Sequence, residues 1–517
     1  MAQRFECAFR AAAQGGFAIA SRVFTVILLT LTCSLSAAAE PGTLRVDYYH
    51  TGNADSETFS LHRIVREPLP WPGNPAKPID TLDLGHFLFQ VEDPDSGEVI
   101  YSRGFSSIFQ EWQHTGEARE MNRTFHESVR FPDPGQAVTL RVLKRNADQG
   151  FDSLWTAAID PADMLVVQAH APAPAQVLDI HVSGAPAAKV DIAILGDGYT
   201  ADEADKFAAD ARRLTDYLFS VEPFKRRAGD FNVRAIAPPA AQAGTNRPSN
   251  GTFRHSPSGT TYDAFRAERY ILAFDNPGFR EIVQHLPYEF VIVLANSETY
   301  GGGGIYGLYS TAAAGSAWAG YLVVHEFGHH FAALADEYYT SPVAYEPQRY
   351  TVEPWEPNVT ALADPERLKW ARFATPATPV PTPWPKAEYE ETMRAFQRER
   401  ADLRARGRPE SEMNALFREV QGFADGHVLE LHRVRFEDDH AREGRGAEAH
   451  RDPGRPAEER HRQGAQAHRE GAGQGHRSGD PCRHDRRAND PVHQPDGAVR
   501  HWRTAGRRRP HRTQDHH

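Results

Sequence analysis

Apolar and polar residues alternate along the N-terminal part of the chain in the way expected of half-buried strands. The segments that alternate are TLRVDYYHTG, HFLFQVEDPDSGEVIYSRGFS, AVTLRVLKRN and VLDIHVSG. Turn-forming clusters such as DPDSG and PDPGQ separate them. The spacing predicts an antiparallel β-sandwich, which we place at residues 40–185.

The pattern changes at AKVDIAILGDGYTADEADKF, where a strand and then a helix are predicted. Residues 190–195 form an almost continuous apolar run, which is typical of a strand covered on both faces. The letters TADE form a capping box that begins a helix. Further strands are predicted at 231–238 and 289–296, so strands and helices alternate as in an α/β domain. We place this domain at residues 186–420, and the fold class is therefore α+β with two domains.

The segment GYLVVHEFGHHFAALADEYY carries the candidate chemistry. Residues four apart lie on one face of a helix, so His325 and His329 can bind a single Zn²⁺ ion. Glu326 is one step round the helix, where it can act as general base towards a water that the zinc activates. The alternative is a buried core helix that spells H-E-x-x-H by chance. The apolar approach AWAGYLVV and the acids that follow the motif favour a metal site.

The third metal ligand is less clearly marked than the two histidines. In metzincin-type peptidases a glycine lies three residues and the third ligand six residues past the second histidine. Ala332 and Ala335 occupy those positions here. Asp336 is the better candidate and Glu337 the next, and either acid could instead hydrogen-bond to a ligand histidine. His330 points about 100° away round the helix, which predicts a position on the surface or in contact with a metal ligand.

Two neighbouring segments frame the motif. YGGGGIYG, residues 300–307, is either an exposed edge that pairs with an extended substrate or a flexible loop. Residues 340–385 are rich in proline and irregular, and a charged helix follows them. The charges of that helix indicate a solvated face.

The blocks HEFGHHFAALADEYY, VDIAILGDGYTADE and YGGGGIYG together resemble the IgA peptidase family of bacterial zinc metallopeptidases. The resemblance covers about residues 41–420. It implies a β-sandwich followed by a metzincin-like catalytic domain, with zinc on His325, His329 and an acid near Asp336. It also implies that Glu326 is the general base and that the substrate is a protein or peptide. It does not imply that antibody is the substrate.

Composition and the N-terminus bear on partners and location. The formal net charge of −11 does not favour nucleic acid, and three scattered cysteines form no disulfide framework. Residues 1–39 have a basic start, a short apolar run and an A-x-A ending, which predict a secretory signal peptide. We therefore expect a secreted or periplasmic protein with no stable membrane insertion after signal removal. The alternative is a membrane-anchoring N-terminus, which would also place the body outside the cytoplasm.

The last part of the chain, residues 421–517, has the composition of a low-complexity tail. Between residues 441 and 517 the only Ile, Leu, Val or Met residues are Val492 and Val499. Three origins fit: a disordered basic tail, a histidine-rich metal-scavenging tail, or DNA translated in the wrong frame. The abrupt change favours the frameshift. No methionine turn of the metzincin kind is found, so the enzyme could be impaired.

A rival function belongs to a different class. An exported metal-binding or glycan-binding surface protein would carry a degenerate zinc site that is not catalytic. It would hold zinc tightly in a closed sphere of four ligands, whereas a catalytic site keeps one position open.

Overall fold

The computed structural model describes residues 40–336, 352–361, 364–373, 386–409, 411–416 and 418. The predicted signal peptide, Glu337 and the tail from residue 421 lie outside the described residues. The described strands are β1 Gly42–Gly52, β2 Glu57–Pro70, β3 Phe87–Glu92, β4 Val99–Phe105, β5 Arg123–Pro132, β6 Val138–Arg145, β7 Phe151–Ile159, β8 Val167–Gln168, β9 Leu178–His181, β10 Val190–Asp197, β11 Phe231–Ile236, β12 Thr260–Thr261, β13 Leu272–Ala273, β14 Phe290–Ala295, β15 Gly302–Ile305 and β16 Tyr309–Ala313. The described α-helices include α1 Ile108–Gln113, α2 Ala204–Leu218, α3 Phe224–Arg227, α4 Asn276–Val283, α5 Ala319–Ala332 and α6 Lys386–Ala405.

The N-terminal region is a β-sandwich, as predicted. One sheet has the strand order β5-β1-β2-β8 and the other has the order β4-β3-β6-β7. All pairs are antiparallel except the short β2–β8 contact. The alternating apolar residues of both sheets meet in one buried cluster that includes Leu44, Val46, Phe89 and Leu140. The period-2 pattern of the sequence therefore marks the inner faces of the sandwich.

The segment VLDIHVSG does not belong to this sandwich, so its predicted place is wrong. It forms β9, which pairs antiparallel with β11 in the second sheet. An alternating pattern is expected of any edge strand with one covered face, so the pattern alone does not predict which strand it pairs with. The domain boundary that we place at residue 185 stays a prediction.

The second region is an α/β domain, as predicted. Its sheet has the order β15-β16-β14-β10-β11-β9, in which the four central strands are parallel. Alternate residues of β10 enter two different cores: Ile192 and Ile194 pack beneath α2 and α5, and Ala193 and Leu195 pack on the opposite face. Burial on both faces is why residues 190–195 read as a continuous apolar run. The TADE capping box is present and is followed directly by α2.

The two regions share a core. Phe109 and Trp112 of α1 pack in one cluster with Leu195 of β10 and Phe279 of α4. Polar contacts join the same regions, because the Arg130 guanidinium donates to the Tyr288 carbonyl at 3.0 Å. The sandwich region therefore covers one face of the sheet of the α/β domain and takes part in its packing.

Helix α6 forms where the charged sequence predicts it, but its face is only partly solvated. Met393 and Phe396 are buried, and Arg404 near its end makes an ion pair with Glu268. Within this charged sequence, two apolar residues three positions apart therefore share one buried side of the helix. No helix in the described ranges is long and apolar enough to cross a membrane.

Candidate active site

Helix α5 carries the two candidate histidines and ends in a left-handed turn. Ala333, the residue that ends the helix, has φ 55° and ψ 31°. Its N–H donates to the His329 carbonyl at 3.0 Å. The metzincin pattern places the turn glycine three residues and the ligand six residues past the second histidine. Here the left-handed residue lies four residues and Asp336 seven residues past His329, so the turn and the acid are displaced together by one position.

The structure brings the three predicted ligand side chains to one place. The Nε2 atoms of His325 and His329 are 3.2 Å apart. Asp336 Oδ1 lies 3.2 Å from the first and 3.1 Å from the second. Glu326 is adjacent, since ligand atoms of His325, Glu326 and His329 all lie within 4.8 Å of one another. The predicted residues thus cluster as expected, while their roles as ligands and base stay predictions.

This cluster fits a zinc ion. Tetrahedral zinc with ligand bonds near 2.0–2.1 Å separates its ligand atoms by about 3.3 Å, close to the three separations found here. Among the described residues, no well-oriented hydrogen bond reaches Asp336 Oδ1, although the atom is buried. A buried carboxylate oxygen without a donor is costly unless a cation completes its environment. Two imidazoles and one carboxylate also match the number and chemical type of the protein ligands in catalytic zinc sites.

The backbone orients one of the imidazoles. His329 Nδ1 donates to the Leu334 carbonyl, so in the neutral ring the lone pair is on Nε2, which faces the cluster. The second imidazole, that of His325, has its Nδ1 3.4 Å from Tyr321 Oη. Such outer contacts select the tautomer of a ligand histidine and hold its ring in place.

Charges in the cluster act strongly on one another. Burial works against ionisation of Asp336, but the imidazoles outweigh it and hold the pKa of this carboxyl well below its usual range. Burial also disfavours the imidazolium of His329, yet Asp336 overcomes this and raises the pKa of His329 to about 9. The carboxylate therefore draws positive charge towards the imidazole nitrogens. Burial raises the pKa of Glu326, and the two histidines limit that rise.

The glycine-rich segment is a strand that packs against the helix carrying the two candidate histidines. It forms β15, so the prediction of a flexible loop is wrong. A Cβ on Gly302 would lie 2.8 Å from Glu326 Oε1, and one on Gly304 would lie 2.3 Å from the Glu326 carbonyl oxygen. On the opposite face, a Cβ on Gly303 would lie 2.6 Å from the Tyr270 ring. Glycine is needed because helix and strand approach too closely for any side chain.

Part of the outer edge of β15 is already paired. The Gly302 N–H donates to the Arg269 carbonyl at 3.1 Å, and the Gly302 carbonyl accepts from the Ile271 N–H at 3.1 Å. Peptide groups two residues apart on a strand face the same edge, so those of Gly304 also point outwards. Any strand-like pairing with a substrate would therefore begin at Gly304. The substrate-pairing hypothesis remains a prediction at this narrower position.

His330 is not on the surface, and its ring nitrogens bond to β14 and β15 and not to a candidate ligand, so both predicted positions are wrong. Its side chain is fully buried; Nδ1 donates to the Ile305 carbonyl and Nε2 accepts from the Val291 N–H, both at 3.1 Å. Burial lowers the pKa of His330 to about 3, which keeps the ring neutral for both bonds. His330 therefore ties α5 to β14 and β15.

Sequence reasoning missed a carboxyl group supplied by the first region. Glu111 of α1 accepts a hydrogen bond from Tyr270, whose ring packs on β15. Burial raises the pKa of Glu111 to about 7, and the charges of His329, Asp336 and Glu326 act on it. No local motif marks Glu111, because only the packing of α1 against the second region brings it there.

Two known protein families match parts of this chain. Residues 178–431 match the family described as IgA Peptidase M64, and residues 35–156 match Peptidase M64 N-terminus. The first match begins at β9, which lies in the sheet of the α/β domain, and extends past residue 421, where we begin the low-complexity tail. A comparison with curated protein sequences finds no significant match.

Proposed function

We propose that this chain, which belongs to the IgA peptidase M64 family of zinc metallopeptidases, is an endopeptidase that uses the His325–Glu326–His329 site. The convergence of two Nε2 atoms and one carboxylate oxygen, all 3.1–3.2 Å apart, carries the proposal. His325, His329 and Asp336 would hold the zinc. Bound zinc supplies a Lewis acid that polarises the scissile carbonyl and makes water easier to deprotonate.

Glu326 acts as general base in this proposal. It is nearly buried and faces the cluster rather than solvent, and burial raises the pKa of its carboxyl. A carboxylate with a raised pKa accepts the proton of the attacking water more readily, and then returns it to the leaving amine. Gly302 leaves the space that Glu326 Oε1 occupies.

The substrate class is protein or peptide, as the family implies. An extended peptide would lie along β15 and pair with the outward peptide groups of Gly304. Tyr270 and Glu111 lie at the same edge and would form one wall of the cleft.

Export also belongs to the proposal. The basic start, apolar run and A-x-A ending of residues 1–39 support a secreted or periplasmic location. N-terminal sequencing of the mature protein from the medium and the periplasm tests this. A chain that retains Met1 in the cytoplasm would contradict export.

The general-base role is tested with Glu326→Ala in the full chain. We expect zinc content to be unchanged and peptide hydrolysis to fall by at least about 10²–10⁴-fold, since proton transfer is lost. Glu298→Ala is the matched control, because Glu298 is exposed and is not part of the site. Full activity of Glu326→Ala would refute the mechanism. A wild-type chain that binds zinc but hydrolyses no peptide would instead favour the metal-binding or glycan-binding surface protein.

A further inference from the structure

The described segment 352–361 reaches back to the residue that precedes the third candidate ligand. Asn358 Oδ1 accepts from the Ala335 N–H at 2.9 Å, and Asn358 Nδ2 donates to the Ala335 carbonyl at 3.0 Å. One amide side chain thus pairs with both peptide groups of a single residue, as a neighbouring strand would. Asn358 is 6% exposed, so little water competes for these bonds.

This pairing acts at a sensitive point of the metal centre. The Leu334 carbonyl accepts from His329 Nδ1, Asn358 holds Ala335, and Asp336 Oδ1 lies against both Nε2 atoms. Three successive residues are therefore each held by a different contact. The helix itself ends at Ala333, so helical hydrogen bonds do not continue through this stretch.

The segment that carries Asn358 is anchored independently of the metal site. Lys369 Nζ donates to the carbonyls of Glu356 and Val359, both at 2.8 Å. Trp355 packs edge-on against His86 of the sandwich, with ring centroids 5.0 Å apart. Asn358 is thus presented from a fixed support, which is what a group needs in order to position another.

We propose that Asn358 is a positioning residue that sets the carboxylate of Asp336 on the two histidines. The third ligand lies past the end of the helix and after a left-handed alanine, where regular helical hydrogen bonds no longer order the backbone. Pairing by Asn358 replaces them. This inference rests on the proposed function only in taking His325, His329 and Asp336 as the metal ligands.

Zinc affinity tests the role without recourse to catalysis. In the full chain, Asn358→Ala should weaken zinc binding by about 10–100-fold, the range found when a group that orients a metal ligand is lost. Affinity is measured by competition with a chelator of known strength. The visible spectrum of the cobalt-substituted chain should shift towards that of Asp336→Asn, because both variants loosen the same ligand.

Two further variants separate positioning from folding. Thr360→Val lies in the same segment, removes the Thr360–Glu353 hydrogen bond and leaves the Ala335 pairing intact, so it should bind zinc as the wild type does. Asn358→Gln keeps a buried amide with a longer reach and should bind with intermediate affinity. Wild-type affinity and spectrum in Asn358→Ala would overturn the role, and so would an equal loss in Thr360→Val. If neither wild type nor any variant binds zinc, the proposed function itself fails; if only Asp336→Asn loses zinc, the function stands and the role of Asn358 does not.

Discussion

Replacing Gly304 with alanine is the sharpest test of how β15 fixes the site. The added Cβ would lie 2.3 Å from the Glu326 carbonyl oxygen and 2.9 Å from His329 Cβ. Both neighbours belong to α5, and the oxygen is backbone, so no side-chain rotation relieves the contact. Ordinary contact distances begin at about 3.4 Å, so helix and strand must separate by roughly 1 Å.

That separation should affect activity more than stability. Overpacking of a core costs about 1–3 kcal/mol of the free energy of unfolding. A displacement of about 1 Å in a catalytic arrangement can lower the rate by about 10²-fold. The same movement shifts Glu326 relative to the peptide edge at Gly304, so base and substrate lose their alignment together.

The assay compares kcat/KM for a peptide substrate with the urea midpoint of unfolding. Gly116→Ala is the matched control, because a Cβ there meets nothing within 4 Å and its φ is −60°. We expect Gly304→Ala to lose about 10²-fold in kcat/KM and the control to lose nothing. Unchanged activity in Gly304→Ala would refute the close approach of α5 and β15.

Three further predictions concern single residues elsewhere. Ala333→Gly should raise the free energy of unfolding by about 0.5–1 kcal/mol, because the left-handed turn strains alanine; a lower urea midpoint would contradict this. Burial raises the pKa of Glu111 to about 7, so the free energy of unfolding that its protonated form contributes is lost as pH rises from about 4.5 to 7. In urea unfolding at pH 8, Glu111→Gln should therefore be more stable than wild type by up to about 3 kcal/mol. Equal stability would contradict this prediction. Burial lowers the pKa of His86 to about 3, so the folded protein holds this ring in its neutral form. The free energy of unfolding that depends on the neutral ring is fully present above pH 6.5 and is lost as pH falls towards 3. Between pH 7 and 5, the free energy of unfolding of His86→Phe should therefore fall by about 1–2 kcal/mol less than that of the wild type. Parallel curves of unfolding free energy against pH would refute the argument.

The parts of the fold that the sequence predicts are those governed by short-range pattern. Residues 190–195 are apolar throughout because both faces of β10 are covered, and the TADE letters begin a helix through their own side chains. The partner of β9 could not be predicted in the same way, since its pairing with β11 joins segments about fifty residues apart. Long-range pairing leaves little trace in a single strand's pattern.

In the candidate site, too, local pattern predicts some residues and long-range packing brings in the others. His325, His329 and Asp336 lie within a dozen residues, and helix geometry with one left-handed turn brings them together. Glu111 and Asn358 reach the site from other elements, and no spacing rule connects them to the motif. The glycines of β15 were visible in the sequence, but their reason, contact with Glu326, depends on how a strand and a helix pack.

Metal reconstitution tests the central claim most directly. The full chain is stripped with a chelator, titrated with zinc, and followed for both bound metal and peptide hydrolysis. We expect one zinc per chain, with hydrolysis that is absent in the stripped protein and rises in proportion to occupancy up to one equivalent. Hydrolysis that survives removal of the metal, or a fully loaded chain that cuts no peptide, would contradict the account.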